Sequence, residues 1–336
     1  MTHPVHTPVV AADGGLVRFT LADLLTGVAD SMRVELSDAA AAEPWLTRLV
    51  GEEHALEALA SGHVDVPARP ELATLALLLW ARRWWPASVA LGVPSLDPAL
   101  LDLETAVATA AVENVGEGML DGFEATPGEL FDSAVEGLAA TPVADEVRGL
   151  CTRLSAWFDD QDDVVRAEAA ARLAADAMPG QRAYALAAGA GSGASGEGVV
   201  TEGRASVDWA RVPPGVLDAA EDTVTWRVVA APTATRLEVE VTGALADAAL
   251  TAFATRDGEV VAEVPLQLGA GQFAGAVDLA TAPSVHFGLV VGVTAEDVAG
   301  TTAADRAEVV SLVRAREALP PAARTLAERA VALEEF

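Results

Sequence analysis

Chemistry in this chain would have to come from a few side chains. The densest group is Glu53, His54, Glu57 and His63, with Glu52 beside it. A zinc or iron site needs two ligands on one helix face. Glu53 and Glu57, four apart, satisfy that spacing, but on a helix His54 points about 100° away from them. These four are the best metal-ligand candidates the sequence offers, and a solvated helix end is the favoured reading of them. There is no H-E-x-x-H. His3 and His6 fall on a tail, and His286 alternates with Val285 and Phe287 as an outward strand residue would.

Other motifs weaken once their context is read. Gly191-Ser192-Gly193-Ala194-Ser195-Gly196 spells G-x-G-x-x-G. A dinucleotide loop needs a strand before it and a helix after it, and an Ala-rich helical stretch precedes this one. Ser195 has Glu197 where a nucleophile elbow needs glycine. The run Asp159–Asp163 lacks the glycine and glutamate of a calcium loop, with Val164 and Ala170 in those places, so it reads as helix capping. Glu113, Glu117 and Asp121 form a stripe without the E-x-x-H partner of a di-metal bundle. Cys151 shares a helical face with Val147, Leu150 and Leu154, which predicts a buried, unactivated thiol.

Composition removes further classes. All 21 basic residues are arginine, and there is no lysine and no isoleucine. Without lysine there is no P-loop lysine, Schiff base or Ser–Lys dyad. One cysteine rules out an internal disulfide and a Cys-built zinc cage, and it fits a reducing cytoplasm. No cofactor is expected. The usage pattern is that of a GC-rich bacterial genome. Net charge is −29, spread along the chain. That disfavours nucleic acid and anionic membranes and favours a basic protein partner. Met1–Gly15 lacks a basic start and a long apolar stretch, so no signal peptide is expected. The apolar run Leu72–Ala81 is about half the ~20 residues of a membrane span.

Two aromatic features could bind a protein. Trp80 and Trp84 stack at i, i+4 with Arg83 alongside, and Trp209 opens Val207–Gly215. Trp and Arg are the residues that interface hot spots favour. A central helix of a bundle accounts for the first pattern, and a lead-in packed on a sheet for the second.

The elements that must position these residues fall into two halves. Residues 1–188 read as a helical, bundle-like domain with an irregular or strand start at 1–19. A helix is expected from Thr20 to about Ala42, then one from Pro44 to Gly62, then Pro70–Trp85 and Asp97 to Gly116, with further helices over 127–140, 142–158 and 162–178. Residues 189–206, rich in Gly, Ser and Ala, read as a flexible linker. Over 207–300 the period changes to two: Val224/Trp226/Val228, Leu237/Val239/Val241, Ala262/Val264/Leu266/Leu268, Phe273/Val277/Leu279 and Val285/Phe287/Leu289/Val291. Five or six such strands, with a turn at Arg256–Glu259, predict an antiparallel sandwich of immunoglobulin or fibronectin type. Residues 301–336 return to helix, broken at Pro320-Pro321.

The functional expectation is a non-enzymatic interaction, scaffold or adaptor protein. The alternatives are a hydrolase or metal-dependent enzyme built from scattered carboxylates with His54 or His63, and a small-ligand sensor with a pocket near Trp80 and Trp84.

Overall fold

The structure is a computed structural model. It describes residues 3–116, 118–120, 125–138, 140–177, 198–230, 234–256, 259–279, 288–293 and 300–334. The Gly191–Gly196 run, Ser195, Glu197 and linker residues 189–197 lie outside the described residues, as do Glu117, Asp121, Asp257, Gly258 and His286. The protein is mixed α and β, with ten α-helices, a four-stranded sheet and a curled seven-stranded sheet among the described residues. The chain divides into two compact units: Met1–Arg83, Leu96–Ala183 and Ser311–Phe336 form one, and Trp84–Ser95 with Tyr184–Val310 the other.

The first unit begins with strands β1 (Val9–Ala12) and β2 (Gly15–Arg18), followed by helix α1 (Leu21–Thr26), strand β3 (Ser31–Leu36), helices α2 (Ala39–Val50) and α3 (Glu52–Ser61), and strand β4 (His63–Pro67). The single helix expected from Thr20 to Ala42 is therefore corrected to helix, strand and helix. The cause is a local period of two: Met32 and Val34 are buried while Ser31 and Arg33 face out. The four strands form an antiparallel sheet in the order β1-β2-β3-β4. Val10, Val17, Val34 and Val64 lie opposite one another across all four strands, with Met32 beside Val66, and all are buried. The other face carries Arg18 with Glu35 at 2.8 Å and Arg33 with Asp65 at 2.7 Å.

The helix expected from Pro44 to Gly62 is two helices, with Pro44 inside α2. They break at Gly51, whose φ of 83° is one that only glycine adopts freely. His63, expected near a helix end, lies in β4 opposite Glu35.

Helices α4 (Pro70–Trp84), α5 (Pro98–Val115), α6 (Pro127–Gly137), α7 (Ala144–Asp160) and α8 (Val164–Asp176) follow. Helix α5 is apolar nearly all round and is the most buried of them, which makes it the central helix of this unit. Its Thr105 and Thr109 hydroxyls donate to carbonyls one turn back, at 2.6 and 2.8 Å, so neither is left unsatisfied. The buried Asp102 carboxylate receives Arg82 Nε from α4 and the Ser133 hydroxyl from α6, both at 2.6 Å.

The other unit holds β5 (Val199–Ala205), β6 (Val224–Ala230), β7 (Thr235–Thr242), β8 (Leu250–Arg256), β9 (Glu259–Gly269), β10 (Gln272–Leu279) and β11 (Gly288–Gly292), ordered β11-β8-β9-β10-β7-β6-β5 and antiparallel throughout. Part of the expected linker 189–206 is thus strand: Val199–Ala205 pairs with Val224–Val229. Strand β9 explains the curl. Its first part pairs with β8 and its last three residues with β10. Gly275 of β10 lies so close to β9 that a Cβ there would meet the Pro265 carbonyl oxygen at 2.3 Å. Val224, Leu237, Val239, Val241, Leu250, Val264, Leu266 and Phe273 fill the concave core. Val207 and Val212 join that core from the lead-in segment. The segment Trp84–Ser95 belongs here as well: Ala219 N donates to Ala87 O at 3.0 Å, and the Asp218 carboxylate accepts from Val89 N at 2.9 Å.

The remaining helices are α9 (Ala303–Arg316) and α10 (Leu326–Glu334). No helix of the described residues is long and apolar enough to cross a membrane.

Candidate functional site

The residues singled out by type do not come together. Glu53 and Glu57 are exposed on α3, and His54 is half-buried with Nδ1 3.2 Å from the Val50 carbonyl. His63 sits on the outward face of β4. Among the described residues, no group of three or more His, Cys, Asp or Glu side chains is placed to hold a metal ion. Cys151 is fully buried, and burial pushes its thiol up to about 11, so it is un-ionised at neutral pH. Trp80 is buried and its indole donates to Val5 O at 2.8 Å, the placement of a core residue. Arg83, Trp84 and Trp209 are half-buried.

The structure draws attention instead to the helical hairpin α7–α8, whose local sequence fixes its shape. Helix α7 ends at Asp160, Asp162 takes a left-handed turn at φ 59°, and Asp163 caps α8 by accepting from Arg166 N at 3.1 Å. The Arg166 guanidinium bridges Asp163 at 2.8 Å and Asp132 on α6 at 2.7 Å, and it holds the Asp163 carboxyl below the usual range. At the other end Arg148 of α7 donates to Ala174 O, near the end of α8, at 3.2 Å. Capping is therefore what part of the aspartate run does here.

Between the two helices runs an open groove of about 690 Å³, lined by Thr152, Ser155, Ala156 and Asp159 from α7 and by Val164, Ala167, Glu168, Ala171 and Ala174 from α8. The helices approach closely because the facing side chains are small, and Ser155 Oγ donates across to Ala167 O at 2.9 Å. Behind the groove, Leu154 and Phe158 are buried, with the Phe158 ring 5.4 Å from Phe131. The walls are methyl-rich, and Asp159 and Glu168 are exposed at the margin. Val164 and Val165, at the start of α8, are 58% and 76% exposed. The arrangement holds no nucleophile with a base beside it, and it suits apolar contact flanked by negative charge.

This site carries no sequence motif, because its lining is mostly alanine, serine and threonine. A signal was there in the spacing. Thr152, Ser155, Ala156 and Asp159 recur at i, i+3, i+4 and i+7, as do Val164, Ala167, Glu168 and Ala171.

A second, smaller groove of about 290 Å³ lies among α4, α5 and α7. Glu71, Thr74 and Leu78, Glu104 and Val107, and Leu150 and Arg153 line it. Glu104 accepts from the backbone N–H groups of Leu326 at 2.6 Å and Ala327 at 3.1 Å, the first two residues of α10. Burial raises its carboxyl to about 7, against the lowering effect of those two bonds. Nothing in its local sequence marks Glu104 out in an apolar helix, because its partners lie more than 200 residues on.

Comparison with protein-family models, with curated proteins and with solved structures finds no match.

Proposed function

We propose that the protein is a non-enzymatic binding or adaptor protein, and that the α7–α8 groove receives an amphipathic helix of a basic protein partner. The observation that supports this reading is the groove: a methyl-lined trough between two helices, with Asp159 and Glu168 at its margin. Helix-in-groove recognition needs an apolar floor for side chains at i, i+3 and i+4 spacing, and charge at the edge to fix partner and register. A net charge of −29 draws a basic partner and repels an acidic one.

In the same reading the helical unit is a bundle-like docking domain that also carries a small sheet. The curled sheet is a sandwich of immunoglobulin or fibronectin architecture with its own strand order, since the second strand β6 pairs with the third, β7. A cytoplasmic location suits the single thiol of Cys151.

The test is nuclear magnetic resonance mapping with a lysine- and leucine-patterned amphipathic peptide. Shift changes centred on Thr152, Ala156, Ala167 and Ala171 are expected. Changes scattered over acidic residues elsewhere, with these four still, would refute the assignment.

A further inference from the structure

We infer that the α7–α8 groove is directional: it takes the basic partner helix with that helix's lysine-bearing N-terminal end at the Asp159–Asp162 turn and its C-terminal end toward Arg148 and Arg172. The direction rests on the docking role proposed for this groove and adds an orientation to it. Ser155 Oγ donates to Ala167 O at 2.9 Å and Arg148 Nε to Ala174 O at 3.2 Å, so α7 and α8 run antiparallel and the trough extends from their shared turn to the far end. Its α8 wall reaches from Val164 to Ala174, ten positions or ~15 Å at the rise of an α-helix. The trough therefore seats about ten residues of a partner helix.

The two ends of the trough differ in charge. Asp159, Asp160 and Asp162 are exposed at the turn. Asp159 stands on the α7 margin, and Glu168, exposed on the α8 margin, lies in the half nearer the turn. Arg166, close by, is taken up by Asp132 at 2.7 Å and Asp163 at 2.8 Å. At the far end Arg148 and the exposed Arg172 stand against Asp145 and Asp176, so charge there balances; Arg148 meets Asp145 at 2.5 Å. The dipoles of α7 and α8 oppose each other along the trough, which leaves the side-chain charges to set its field. A helix carries positive partial charge at its N-terminus and negative at its C-terminus. An N-terminus bearing lysines is therefore drawn to the aspartates, and the C-terminus to the end that holds the two arginines. The reverse placement sets a negative helix end against three carboxylates.

Paramagnetic relaxation in the full chain reads the direction. The probe is a leucine-patterned amphipathic peptide, acetylated and amidated, with its lysines in the N-terminal half and a nitroxide at one terminus. With the label at the N-terminus, the amide signals of Val164 and Val165 should be lost while those of Ala174 and Ala175 keep most of their intensity. With the label at the C-terminus the order should reverse. Combining Asp159→Asn, Asp160→Asn and Asp162→Asn should bring the losses at the two ends close to equal. The hairpin keeps its Asp163 cap in that variant, and asparagine tolerates the left-handed backbone at 162, so the fold is retained. Equal loss at both ends in the wild type, or the opposite order, overturns the direction, while shift changes at Thr152, Ala156, Ala167 and Ala171 would leave the docking role standing. An unchanged preference in the triple variant overturns the charge basis of the direction. A peptide that moves none of those four signals overturns both the direction and the docking role.

Discussion

The indole N–H of Trp80 donates to the carbonyl of Val5, seventy-five positions earlier, at 2.8 Å. Trp45 does the same for Asp13 at 2.8 Å. Two bulky helix residues are in this way tied to the start of the chain, each with its one polar atom satisfied. Trp80→Phe keeps most of the buried ring and orphans the Val5 oxygen, so it should cost ~1–3 kcal/mol in urea unfolding. Trp80→Ala should cost ~3–5 kcal/mol. A variant of unchanged stability would show that this indole is not core.

Arg316 is 2% exposed and forms a two-pronged pair with Glu328, at 2.7 and 2.9 Å, while also donating to Leu24 O, Leu25 O and Ala323 O. Arg316→Met leaves the Glu328 carboxylate buried without its partner. We expect a loss of ~3–5 kcal/mol, and a smaller loss when Glu328→Gln is added, because neutralising the survivor removes much of the penalty. Additive losses in the double variant would mean that the two side chains do not act as a pair.

The Cys151 thiol, raised from 9.0 to about 11, gives a pH dependence of known sign. Above pH 9 the unfolded chain ionises its thiol while the folded chain does not. This group's contribution to stability therefore falls between pH 9 and 11. At pH 8 the native protein should resist alkylation by iodoacetamide and react only under denaturing conditions. Rapid labelling of the native chain would contradict the burial described for α7.

Much of this architecture was legible in the sequence, for reasons that particular residues make plain. Asp97-Pro98 announces α5, and the alternation of Leu237, Val239 and Val241 announces β7. Short elements were less legible. Strand β3 offers only Met32 and Val34 as buried alternating residues, and the alanines 39–42 beside it read as helix. Strand β8 hides because Ala252 and Ala254 are small, so its inward face carries little apolar signal. The candidate site was the least visible part. Its groove is made by small side chains and exists only once α7 and α8 face each other, and Glu104 takes its character from a helix far along the chain.

The central claim is that the α7–α8 groove, rather than bulk negative charge, holds a basic partner helix. Ala171→Glu separates the two. Ala171 is exposed, so the variant should fold, and its added carboxylate both blocks the groove and makes the protein more acidic. Calorimetric titration with the lysine- and leucine-patterned peptide, at an ionic strength of ~0.15 M where the Debye length is ~8 Å, is the direct measurement. Groove binding predicts that Ala171→Glu weakens the affinity at least tenfold relative to wild type. Equal or tighter binding by the variant would show that charge alone attracts the peptide and would contradict the account.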